Sequence, residues 1–139
     1  AGLIEMQRVT RPGGMIAVLA EPDYGGRIDY PDELADLGLL QSESLHAQGA
    51  NPHLGRRLMS LLKEAGLDEV FCGLLGGEWS TPPQDGFTRQ EWDILEQDLK
   101  GLLSASELTR LRQADMQAWE EGVRILYVPT FFAWGKKPG

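Results

Sequence analysis

Apolar positions recur along this chain in two periods, and together they predict strands alternating with helices. Met15 to Ala20 is an unbroken apolar run. It reads as a strand apolar on both faces, the kind found inside a sheet covered by helices on both sides. Arg11-Pro12-Gly13-Gly14 before it is a turn, and Glu21 to Gly26 after it is a loop. Leu3 to Val9 reads as the last turns of a helix entering that turn. A helix is predicted to open at Tyr30-Pro31-Asp32-Glu33, where proline fits the first helical position and acidic residues suit the dipole. Leu34, Leu37 and Leu45 are among its apolar positions, and Gly49 can end it. In the next helix Asn51 is the predicted cap and Pro52 follows. Leu54, Leu58, Leu61, Leu62 and Ala65 form one stripe, and Gly66 closes it.

Val70 to Leu75 is a second predicted strand, weakened slightly by Gly73. Residues 76–86 contain Pro82-Pro83 and Asp85-Gly86 and read as a loop. Thr88-Arg89-Gln90-Glu91 and Ser104-Ala105-Ser106-Glu107 have the form of capping boxes. The first would open a helix with Trp92, Leu95, Leu99 and Leu102 on one face. The second would open a helix with Leu108, Leu111, Ala118 and Trp119, ended by Gly122. A last strand, Thr130 to Trp134 or slightly beyond, is entered through Pro129. The implied fold is α/β, a single domain over residues 1–139, with parallel neighbours for at least the first two strands. Only fourteen residues precede the first strand, too few for a neighbouring strand and its crossover helix. Its neighbours are therefore expected upstream, which makes this chain one half of a larger sheet.

Composition then removes several classes of function. An apolar fraction of 42% and a charged fraction of 24% are ordinary for a globular protein. No stretch approaches the roughly 18 consecutive apolar residues of a membrane helix. The net charge of −8 disfavours a nucleic-acid backbone or an anionic membrane as partner. A single cysteine, Cys72, rules out an internal disulfide and suits a reducing, cytoplasmic setting. A Gly-x-Ser-x-Gly elbow, a Walker loop and a zinc-ligand pair are all missing from the sequence, and no metal is expected.

Three segments in order carry a family resemblance. They are "LIEMQRVTRPGGMIAVLAEPDYGG", "NPHLGRRLMSLLKEAGLDEV" and "FFAWGKKPG". The most specific piece is E-x-x-R-V-x-R-P-G-G before a strand, followed by L-L-x-E-A-G-L before the next and a terminal aromatic strand ending in G-K-K-P. The chain resembles the C-terminal half of a class I S-adenosylmethionine-dependent methyltransferase, nearest to the ubiquinone and menaquinone biosynthesis enzymes. The resemblance implies a partial Rossmann-like sheet of three strands with flanking helices, the last strand antiparallel and inserted between the other two. It also implies methyl transfer to a small molecule, with the cofactor S-adenosyl-L-methionine held mainly by the N-terminal half. Neither Gly13-Gly14 nor Gly25-Gly26 has the strand-turn-helix context of a cofactor glycine loop, and Gly73 to Gly77 fails likewise. No cofactor-binding residue is therefore expected here, and the isolated chain should be inactive.

The predicted substrate residues are Glu21, Asp23, Tyr24, His53 and Trp79, with no catalytic residue assigned. Glu21, Asp23 and Tyr24 leave the first strand at its carboxyl end, where open α/β sheets bind ligands. A carboxylate there can orient a substrate or accept a proton, and a tyrosine can hydrogen-bond or stack. The plainer alternative is a polar turn. His53, at the start of the Asn51 helix, either faces the same cleft or is simply an exposed first-turn residue. Trp79, just after the second strand, is a candidate pocket wall. Arg56-Arg57 reads as an anion clamp or, more plainly, a solvated helix face, and Cys72, Trp92 and Trp119 read as core. The expected partners are a small-molecule substrate and a second copy, a homodimer joined at the open sheet edge. The alternative to an enzyme is a non-catalytic oligomerisation or binding module.

Overall fold

The computed structural model describes residues 2–77 and 87–139, Phe87 by its backbone alone. In chain order the elements are α1 (Gly2–Val9), β1 (Met15–Pro22), β2 (Ile28–Tyr30), α2 (Leu37–Ala47) and α3 (Leu58–Glu64). They continue with β3 (Asp68–Leu75), α4 (Phe87–Leu99), α5 (Ala105–Glu120), β4 (Ile125–Tyr127) and β5 (Thr130–Lys136). The chain, read above as one domain, divides into two compact units. One comprises Ala1–Asp23, His53–Gly76 and Pro129–Gly139, the other Tyr24–Pro52 and Gly77–Val128.

The first unit is a three-stranded sheet in the order β1-β5-β3. β5 is antiparallel to both neighbours, so β1 and β3 run the same way without touching. The alternation of strands and helices had predicted β1 and β3 as parallel neighbours. That expectation is corrected, because the terminal strand takes the place between them. Leu62 and Leu58 of α3, with Leu67, close over Ile16 of β1 and Ala133 of β5. Burying each such leucine contributes roughly 1.5–3 kcal/mol. Gly66 ends α3 at φ +77°, a conformation glycine adopts without a Cβ penalty.

Among the described residues, the packed core lies on one face of this sheet. Ile16 and Val18 pack inward, whereas Met15 is 59% exposed and Leu19 74%. The reading of β1 as buried on both faces is therefore corrected. The open face carries an aromatic group across the other two strands. Phe71 stacks on Trp134 at 5.8 Å and meets Phe132 at 5.9 Å. Gly73 fits this packing, since a Cβ there would lie 2.6 Å from the Phe132 ring.

The second unit is built on Leu34, Leu37, Trp92, Leu95, Leu99 and Leu111. Two short strands, β2 and β4, pair antiparallel from Ile28↔Tyr127 to Tyr30↔Ile125; three residues each gave no readable alternation in the sequence. The capping box at Ser104 and Glu107 forms as predicted. The one at Thr88 does not, since α4 already includes Phe87 and the Glu91 carboxylate accepts from Arg27 Nη1 at 2.9 Å. The helix predicted from Tyr30 splits into a 3-10 turn, Asp32–Leu34, and α2. No helix among the described residues is long and apolar enough to cross a membrane.

Candidate functional site

The carboxyl end of β1 is where the first unit gathers its polar chemistry. The register between β1 and β5 slips between Val18 and Glu21, an irregularity of the kind that re-aims side chains at strand ends. Beyond it the Asp23 backbone N–H donates to the Pro129 carbonyl at 2.8 Å. Asp23 is 1% exposed. An isolated carboxylate cannot remain buried and ionised without partners, and the turn before α3 supplies them. Arg56 donates from Nε to Oδ2 at 2.6 Å and from Nη2 to Oδ1 at 2.6 Å, and its backbone N–H reaches Oδ2 at 3.2 Å. His53 places Nδ1 3.5 Å from Oδ1.

Charge and burial oppose each other at this carboxylate. Burial works against ionisation, but the hydrogen bonds and charge of Arg56, together with His53, outweigh it and hold the Asp23 carboxyl below its usual range. Arg56 is raised in turn by its hydrogen bond to Asp23. The turn itself depends on Gly55. A Cβ there would lie 2.7 Å from the Glu21 carbonyl oxygen and 2.7 Å from Phe131 Cδ2, so only glycine lets the two segments meet.

This docking also corrects the predicted helix start. Asn51 is not the cap of α3; residues 52–53 form a turn and Gly55–Arg57 a 3-10 turn before the helix begins at Leu58. His53 therefore lies in the approach to the helix and is brought to Asp23 by the turn. A glycine interrupting an otherwise regular leucine stripe was the signal for this close approach.

The other predicted residues are distributed as follows. Glu21 is half-buried opposite Phe131 in the sheet register. Tyr24 belongs to the second unit, where its N–H donates to the Pro52 carbonyl at 2.9 Å. Trp79 lies outside the described residues. Arg56 is not an anion clamp, since its guanidinium is committed to Asp23. Cys72 packs against the Ile16 and Leu62 cluster, and Trp92 is core, while Trp119 is half-buried.

Sequence reasoning missed a second set of charges entirely. In the second unit Asp29 accepts from Arg27 Nε at 2.7 Å and from Arg124 Nη2 at 2.6 Å. Arg124 Nε also donates to Asp115 at 2.6 Å, and Trp92 Nε1 donates to the same carboxylate at 2.8 Å. The Arg27, Asp29 and Arg124 side chains are all buried. Arg27, Asp29, Asp115 and Arg124 each have a charged partner within this network. Charged residues scattered from 27 to 124 give no local pattern from which such a network can be read. A cleft of ≈ 440 Å³ in the same unit is lined by Tyr30, Asp32, Glu33, Gln117 and Glu121 among others, and holds none of the predicted site residues.

Among the described residues no glycine turn with a free acidic partner stands ready for S-adenosylmethionine. Gly25-Gly26 lie in a 3-10 turn that leads into β2 and not into a helix, and the carboxylates flanking it, Asp23 and Asp29, are both committed to arginines. No group of three or more potential metal ligands occurs among the described residues. Neither a family model nor a curated protein matches this chain.

Proposed function

We propose that this chain is the substrate-side half of an S-adenosylmethionine-dependent methyltransferase acting on a small molecule. The observation that carries the reading is the sheet itself: two strands running the same way with the last strand of the chain antiparallel between them. That is the order expected for the fifth, seventh and sixth strands of a Rossmann-like methyltransferase sheet. Its polar cluster stands at the carboxyl end of β1, the edge at which such sheets bind ligands. On this reading Glu21, Asp23 and His53 belong to the substrate side, and the cofactor is held by residues outside this chain.

Two measurements test it. The 139-residue chain alone should show no heat of binding with S-adenosylmethionine at micromolar concentrations. A dissociation constant in the low micromolar range, about −8 kcal/mol, would place the cofactor site here and overturn the division of labour. A protein extended by the preceding reading frame should bind the cofactor and form S-adenosylhomocysteine. Failure of that longer protein to bind it would remove the methyltransferase reading.

One observation favours a second reading, a non-catalytic assembly module. The sheet leaves Met15, Leu19 and Phe71 exposed, beside the edge of β1 that pairs with no other strand among the described residues. Exposed apolar patches of this kind mark association surfaces.

A further inference from the structure

The carboxyl end of α5 departs from the usual charge pattern of a helix. The terminal carbonyls there carry a partial negative charge, which a lysine or arginine in the last turn ordinarily meets. α5 has no basic residue in its last turn; Glu120 ends it and Glu121 caps it. Local rules broken in this way tend to coincide with functional sites. The cleft of ≈ 440 Å³ in the second unit takes Gln117, Ala118 and Glu121 from that end. Its volume lies within the range of about 300–1,000 Å³ in which small molecules bind.

The lining defines the ligand. Ala114 and Ala118, on one face of α5, leave room, and the turn from Tyr30 to Glu33 supplies a second wall. Carboxylates come from both sides, Asp32 and Glu33 from the turn and Glu121 from the helix end. Among the described residues nothing donates to the Asp32 or Glu33 side chain. Glu121 accepts from the neutral Gln117 amide at 2.7 Å. Among the described residues no basic side chain lines the cleft. Arg124 reaches the Tyr30 carbonyl at 3.1 Å, but its side chain is 1% exposed and held by Asp29 and Asp115. The net charge of −8 adds to the field, and a cleft lined by one sign of charge concentrates the opposite ion. Tyr30, half exposed, offers an aromatic ring to a cation.

We propose that this cleft binds a small organic cation, an amine in its ammonium form carried on an apolar body. The ammonium group sits among the carboxylates at the end of α5, and the body lies over Tyr30 and the two alanines. The site belongs to the second unit alone and stands apart from the methyltransferase reading.

Benzylamine, protonated at neutral pH, is the probe, with benzyl alcohol as its uncharged counterpart. Nitrogen-15 amide spectra of the 139-residue chain, titrated with each, read the binding. Benzylamine should move the amides of Glu33, Gln117, Ala118 and Glu121 saturably at millimolar concentration, and benzyl alcohol should bind about tenfold more weakly or worse. Glu33→Gln should weaken benzylamine several-fold. Glu121→Lys places the chain's own cation at the helix end, so it should abolish binding while the thermal midpoint holds or rises. An equal response to the two probes, or no saturable shift at these amides, would overturn the proposal. Full affinity in Glu121→Lys would also overturn it, and so would a lowered midpoint, which would show that the end of α5 calls for no cation.

Discussion

At Asp23, the cost of burial is set against one arginine, and the balance can be measured. Removing the arginine leaves a buried carboxylate with only a backbone N–H and His53 beside it. Arg56→Ala should therefore destabilise the protein by about 1–3 kcal/mol at neutral pH. The pH dependence follows from the lowered carboxyl. Its ionised, paired form contributes fully above the unfolded value of about 4, and that contribution is lost as pH falls through the lower folded value. In Arg56→Ala the carboxyl loses what held it down, so the variant protonates it earlier and sheds its penalty. The stability gap between the two proteins, read from urea denaturation, should narrow as pH drops below about 4. A gap of constant size across that range would mean that Asp23 and Arg56 are not a coupled pair. His53 was legible in the sequence as a candidate because of its place beside Asn51 and Pro52, at the predicted start of a helix. Its carboxylate partner, thirty residues earlier, was legible only as a second, separate candidate.

Elements show the same division between local and long-range information. Gly55→Ala should cost about 1–3 kcal/mol by overpacking, because the contacted Glu21 oxygen is backbone and cannot rotate away. Thermal denaturation would check it, and an unchanged midpoint would mean that the turn is not seated against β1. In the second unit Asp29→Asn should cost about 3 kcal/mol, since it removes the charge shared by two buried guanidinium groups and leaves Arg27 with Glu91 and Arg124 with Asp115. A loss under about 1 kcal/mol, the range of exposed pairs, would show the network to be solvated. The stop at Gly66 and the box at Ser104 were readable because each is decided within a few residues by backbone conformation or a side-chain cap. The start of α3 was not, because Asn51 and Pro52 formed a plausible cap until Gly55 met β1. The Thr88 box failed for the same kind of reason, its glutamate being taken by Arg27 from elsewhere in the unit. β2 and β4 were invisible because three residues cannot display a period.

For the molecule as a whole, the sheet's two outer strands decide what it does in solution. β1 is hydrogen-bonded to β5 on one side, and among the described residues no other strand pairs with it. Met15 to Ala20 contains no proline, lysine or other charge to discourage pairing, and an unguarded edge of this kind is a template for another chain. A twofold antiparallel meeting of two β1 strands sets the end near Arg11, Lys136 and Lys137 of one copy against the end carrying Glu21 of the other. Such a contact is isologous and closes on itself, so it stops at two copies. We therefore propose that the 139-residue chain forms a homodimer through β1. Light scattering at micromolar concentration should give twice the 15.4 kDa chain mass. Val18→Lys would be a poor probe because Val18 packs inward, whereas Leu19→Lys places a charge on the open face beside the edge and should shift the population toward monomer. A monomer mass for the unmodified chain, with the amides of Met15 to Ala20 strongly protected from exchange, would show that the edge is closed without a second copy, and the dimer would be abandoned.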